Sequence, residues 1–141
     1  MEKDEFVTRK QALALKELGF DEHCLATWEK DIKYPQRWDW DFELRNSTNQ
    51  EDEVECTAPL KQQVFRWFRE KYELYYRISG VKQSQYHYSI DYQYKDGKWG
   101  MMAGDVTTYE EAENACIDKL IEIANSQKDI DVPLSKQQSN D

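Results

Sequence analysis

Two histidines and three cysteines are the residues of this chain best suited to metal binding or nucleophilic chemistry: His23 beside Cys24, then Cys56, His87 and Cys116. Structural zinc sites draw their ligands in close pairs such as C-x2-C, and no such pair exists here. A Cys–His nucleophile needs a third group to orient the imidazole. The pattern around His87 puts it on the polar side of a strand, and Cys116 falls in the apolar stripe of a helix. The three cysteines are odd in number and far apart, so a disulfide framework is not expected. They read as reduced, buried small hydrophobes, and the chain is expected to carry no metal and no cofactor.

A second candidate is the carboxylate row Asp39, Asp41 and Glu43. Residues two apart share one face of a strand, and such a row can hold a divalent cation or act as an acid/base pair. On an exposed face its ordinary role is to stay solvated and keep an edge strand from pairing with other chains, and that reading is preferred. A third candidate is the basic middle: Arg66, Arg69, Lys71, Arg77, Lys82, Lys95 and Lys98 lie among many tyrosines. Aromatics on a basic sheet stack the bases of single strands. In Tyr86-His87-Tyr88-Ser89-Ile90-Asp91-Tyr92-Gln93-Tyr94, however, strict alternation assigns Tyr86, Tyr88, Tyr92 and Tyr94 to a buried face. Tyr75 alone is placed opposite the core face by its own strand. Gly19, Gly80, Gly97, Gly100 and Gly104 sit at turns or strand ends, which leaves no glycine-rich phosphate loop.

The chain has 141 residues and a net charge of -9, unevenly spread. Residues 1–56 contribute -7, residues 57–105 +3, and residues 106–141 -5. The acidic whole disfavours general nucleic-acid binding, which needs positive charge at the contact, while the middle leaves room for a local basic patch. No apolar run approaches the roughly 20 residues of a membrane helix. Met1 to Glu5 is charged with no apolar stretch behind it, unlike a signal peptide, so a cytoplasmic protein is expected. Without secretion, the glycosylation pattern at Asn46-Ser47-Thr48 carries no weight.

The elements that must position these residues follow from period and end signals. Thr8 with Gln11 forms a capping box, and Gly19-Phe20 a stop, for a helix over 8–18. Cys24, Ala26 and Trp28 alternate over a strand at 24–30. Trp38, Trp40, Phe42 and Leu44 do the same over 38–45, and the two strands fit a hairpin. A loop over 46–53 and a short strand at 54–56 come next. Thr57 reads as the cap of a second helix, with Pro59 in its first turn and Leu60, Val64, Trp67 and Phe68 as its stripe. Strands over 73–79, 86–94 and 98–103 follow, joined by a connection at 80–85 and by an Asp96-Gly97 hairpin turn. Thr108-Tyr109-Glu110-Glu111 caps the last helix, whose stripe is Tyr109, Ala112, Cys116, Leu120 and Ile123 and whose end lies near Asn125. Residues 126–141 read as a flexible polar tail.

Three stretches carry a resemblance. They are Leu18-Gly19-Phe20-Asp21-Glu22 closing the first helix, Thr57-Ala58-Pro59-Leu60 leading into Val64-Phe65-Arg66-Trp67-Phe68-Arg69-Glu70-Lys71, and Thr108-Tyr109-Glu110-Glu111-Ala112 opening the last. In these the chain resembles small proteins common in Bacteroidetes genomes and in their phages and mobile elements. That group has no assigned activity and so implies no functional residues. The segment from Tyr34 to Trp40 reads as an insertion particular to this member.

The expected fold is a single α+β domain over 1–125, with two or three helices on a largely antiparallel sheet. The preferred functional expectation is a non-enzymatic protein that binds another protein through an acidic or aromatic surface. The alternatives are a single-strand nucleic-acid module built on the basic middle, and a small enzyme whose site the sequence does not reveal. The exposed edge of the Trp38–Leu44 strand offers one route to a homo-oligomer, and Trp38 and Trp40 are either core or a binding face.

Overall fold

The computed structural model describes residues 3–29, 42–49, 54–93 and 97–128. Among these the α+β class is realised with three α-helices and two three-stranded antiparallel sheets, rather than the one sheet expected. The chain divides into two compact units, residues 1–61 and 62–141. In each, a central strand takes a partner on both sides, and the described strands of each sheet all come from one unit. None of the described helices is long and apolar enough to cross a membrane.

In the first unit a 3-10 turn at Lys3–Glu5 leads to α1 (Arg9–Glu17). The capping box forms: Thr8 Oγ1 accepts from the Gln11 amide at 3.2 Å, and the Thr8 amide donates to Gln11 Oε1 at 2.9 Å. The helix stops as expected. Gly19 takes φ 95, its amide donates to Lys16 O, and the Phe20 amide donates to Leu15 O, each at 3.0 Å. These two bonds satisfy carbonyls that the helix end leaves open. Ala12, Leu15, Leu18 and Phe20 are buried.

The sheet of this unit has the order β2-β1-β3, from β1 (Cys24–Glu29), β2 (Phe42–Ser47) and β3 (Val54–Thr57). The β1–β2 pairing and the short third strand agree with the sequence reading. Strand β2 runs on to Ser47, into the expected loop. Trp38, Trp40, Asp39 and Asp41 lie outside the described residues, and so does the question of whether the two tryptophans are core.

Thr57 does not cap the second helix. It ends β3, paired with Thr27, and its amide donates to Asn49 Oδ1 at 2.7 Å. Asn49 Nδ2 in turn donates to Phe20 O at 2.7 Å, so one side chain ties the exit of α1 to the end of β3. These bonds keep Thr57 in the strand, and α2 (Lys61–Tyr72) starts four residues later, too far on for the Thr57 hydroxyl to cap its first turn. Pro59 therefore precedes the helix, and its carbonyl accepts from the Val7 amide at 3.0 Å.

In the second unit α2 buries Val64, Trp67 and Phe68 of the expected stripe and adds Phe65; Leu60, the fourth expected member, precedes the helix and bridges to Phe6. The chain leaves it through Glu73 at φ 56, a left-handed conformation that glycine ordinarily takes. Strands β4 (Tyr75–Lys82), β5 (Gln85–Gln93) and β6 (Trp99–Val106) form the second sheet in that order. The expected connection over 80–85 shrinks to a turn at Gln83 and Ser84, with Ser84 at φ 58 and a bulge between Gly80 and Lys82.

The final helix, α3 (Tyr109–Lys128), is capped by Thr108 Oγ1, which accepts from the Glu111 amide at 3.1 Å. It continues through residues 126–128, which the sequence assigned to the tail; residues 129–141 lie outside the described residues. Ala112, Cys116, Leu120 and Ile123 are buried as expected, joined by Ile117, Ile121 and Ala124, whereas Tyr109 is exposed.

Candidate docking face of the second sheet

Alternation divides the second sheet into two faces, and the registers say which residues share each. Tyr76, Ile90 and Met102 form one row of the first face; Ile78, Tyr88 and Gly104 form the next, and Tyr86 and Val106 continue it. Both helices lie on this face. Tyr76 stacks on Phe65 of α2 with centroids 3.8 Å apart and planes 14° apart, and Tyr86 meets Tyr109 of α3 edge-on at 6.0 Å. Ile90 is fully buried at its centre. Tyr88 lies across Gly104, where a Cβ would come within 2.6 Å of the ring Cζ. Tyr86, Tyr88 and Tyr92 are half-buried and belong to this packed side; Tyr94 lies outside the described residues. Burial raises the Tyr76 hydroxyl pKa, as do the nearby ionisable groups Tyr109, Glu113 and Cys116, while a hydrogen bond with Gln62 opposes the shift.

Neither α2 nor α3 lies on the opposite face. Its rows are Tyr75, Asp91 and Met101; Arg77, Ser89 and Ala103; and Ser79, His87 and Asp105, with Gln93 beside Trp99 at one end. Trp99 is 64% exposed, Met101 60% and Tyr75 48%. Tyr75 and Met101 flank Asp91, about 9–10 Å apart at the usual strand spacing, and Trp99 stands one row beyond. Two ionic contacts lie on the face. Arg77 Nη2 donates to Asp91 Oδ2 at 3.0 Å, and His87 Nδ1 lies 3.0 Å from Asp105 Oδ1, a contact that requires the proton on Nδ1. Lys82, opposite Gln85 on the same side, brings the described charges to two cations against two carboxylates when His87 is neutral. Large exposed side chains grouped at one end of a sheet face match the composition of protein contacts, in which tyrosine and tryptophan are enriched.

The residues singled out for chemistry do not converge. Cys24, Cys56 and Cys116 are all buried free thiols. Cys24 Sγ donates to Glu22 O at 3.4 Å, and the neighbouring His23 ring is exposed. Burial, reinforced by Glu55, pushes the Cys56 thiol up to about 12; burial, reinforced by Glu113, does the same to Cys116. Thiols so far from ionising are poor nucleophiles and poor ligands. Cys116 belongs to α3 on the packed side of the second sheet, and His87 projects from the other side. Among the described residues no group of three or more His, Cys, Asp or Glu is placed to hold a metal ion. Glu43 pairs with Thr27 through the backbone of β2.

The basic residues scatter in the same way. Arg66, Arg69 and Lys71 ride on α2, on the far side of the sheet from Arg77, and Lys71 Nζ sits 5.1 Å from the Trp67 ring centroid. The sequence reading missed Trp99 and Met101. The signal for them was the run Trp99-Gly100-Met101-Met102, in which alternation puts Trp99 and Met101 together, but only the register with β5 says on which face. No protein-family model, curated protein or solved structure matches the chain.

Proposed function

We propose that this chain is a non-enzymatic protein-binding module whose partner docks on the helix-free face of the second sheet. The observation that carries the reading is the grouping of Tyr75, Trp99 and Met101, all exposed on that face. Exposed apolar groups clustered on a rigid sheet, rimmed by paired charges, mark an interaction surface more than scattered single ones do.

One observation favours single-strand nucleic-acid binding instead: Tyr75 and Trp99 are two rings on one face. Charge argues against it. Asp91 and Asp105 balance Arg77 and Lys82 on that face, so among the described residues it lacks the net positive charge that phosphate attraction draws on.

The test is capture of cellular proteins by the immobilised chain, with the same experiment on Tyr75→Ala/Trp99→Ala and on Arg66→Ala. A partner held by the natural chain and by Arg66→Ala but lost from the double variant supports the reading, with affinity falling at least tenfold as for a hot spot. Equal capture by all three, or a salt-sensitive shift with a short single-stranded oligonucleotide at low ionic strength, overturns it.

A further inference from the structure

The two outer edges of the second sheet differ in a way that the docking face does not explain. An edge strand offers a row of unpaired amides and carbonyls, and proteins guard such rows with charge, bulges or proline. Strand β4 is guarded. It carries Arg77 and Lys82, it bulges between Gly80 and Lys82, and it runs into a turn with Ser84 at φ 58. Strand β6 is not. Its eight residues pair with β5 over eight consecutive positions with no register shift. Trp99-Gly100-Met101-Met102-Ala103-Gly104-Asp105-Val106 holds one charge, Asp105, which faces His87 within its own sheet. Among the described residues β5 is its only strand partner.

We infer that β6 is a pairing edge, and that its occupant is β6 of a second copy of this chain, laid antiparallel to give a continuous six-stranded sheet. The charge pattern selects this occupant. Two β6 strands crossed by a two-fold axis near Met102 set Gly100 against Gly104, Met101 against Ala103 and Trp99 against Asp105, so no like charges meet. A β4–β4 pairing about an axis between Ser79 and Gly80 would set Arg77 of each copy against Lys82 of the other and would have to accommodate the bulge. A head-to-tail β4–β6 pairing is heterologous and, unless its rotation closes a ring, grows into fibres. The two-fold arrangement closes after two copies. It also sets the two Trp99–Met101 groups on one side of a single sheet, doubling the docking face without covering it.

An eight-residue strand spans about 27 Å, a modest contact beside the 1,200 Å² or so that stable interfaces bury. The dimer is therefore expected at micromolar concentration and above. Sedimentation velocity from about 5 to 500 μM tests it on the natural chain and on Met101→Lys/Ala103→Lys, whose altered side chains are exposed and whose fold is checked by circular dichroism. The expected result is a monomer–dimer equilibrium for the natural chain, with dissociation at least tenfold weaker for the double variant. A natural chain that stays monomeric at 500 μM overturns the inference, as does a double variant that dimerises as strongly as the natural chain. Tyr75→Ala, on the far edge, keeps the dimer while losing the partner, which separates this inference from the docking reading.

Discussion

The two faces of the second sheet are made from the same three strands yet do opposite work. The packed face puts Tyr76, Tyr86, Tyr88, Ile90 and Met102 under α2 and α3; the other carries Tyr75, Trp99 and Met101 to solvent. Aromatic content alone does not distinguish them. What distinguishes them is fit. On the packed side each ring has a designated neighbour, Phe65 for Tyr76, Tyr109 for Tyr86 and the bare backbone of Gly104 for Tyr88. On the open side Arg77 pairs with Asp91 and His87 with Asp105, while the large apolar groups lie exposed.

The sharpest way to test this contrast is to truncate one residue on each face. Ile90→Ala removes a fully buried side chain and is expected to cost about 2–5 kcal/mol, whereas Met101→Ala should stay within about 0.5 kcal/mol. Urea unfolding of both variants measures the difference, and similar losses for both would erase the distinction between the faces.

A smaller effect separates two glycines that each face a tyrosine across the sheet. At Gly104 a methyl group would run into the Tyr88 ring, so Gly104→Ala should destabilise by about 1–3 kcal/mol. At Gly80 the nearest Tyr86 atom would lie 3.5 Å from the added Cβ, an ordinary contact. Gly80→Ala is therefore expected to leave the melting temperature within a few degrees, and a larger fall than for Gly104→Ala would contradict the packing described.

The buried thiols give a pH dependence. Folding raises the Cys56 and Cys116 pKa values from 9.0 to about 12. The unfolded chain then loses these protons first, so stability is full below pH 9 and declines as pH rises from there toward 12. Unfolding titrations at pH 8 and pH 10 should show the loss, and Cys116→Ala should reduce the slope. Iodoacetamide should label the native chain far more slowly than the urea-unfolded chain at pH 8.

The smallest expected effect is a gain. Ser84 holds φ 58 in the β4–β5 turn, so Ser84→Gly should relieve up to about 1 kcal/mol of backbone strain. This is read as a rise in melting temperature, and a fall would mean that the Ser84 side chain matters more than its backbone.

Much of this was legible in the sequence because local chemistry settled it. Thr8 with Gln11, Gly19 with Phe20, and Thr108 with Glu111 gave the helix ends, and strict alternation gave β5 and the side of its tyrosines. What failed was whatever a distant residue decides. Thr57 has the chemistry of a cap, but Asn49 and the pairing with β1 hold it in a strand that ends four residues before the helix begins. Trp99 went unplaced because its face depends on a register. A two-residue Asp96-Gly97 turn would set it opposite Tyr94, on the packed side; the observed pairing with Gln93 is one residue away and turns it to the open side. A shift of one residue exchanges the faces of a whole strand. That shift put Trp99 and Met101 on the open face, where the sequence alone does not place them.

Met101 and Met102 are adjacent and point to opposite faces, so they report on both within one peptide. Dilute hydrogen peroxide on the native chain, followed by mass-spectrometric fragmentation, gives the two oxidation rates side by side. The open-face account predicts that Met101 oxidises several times faster than Met102. Equal rates, or a faster Met102, would contradict it.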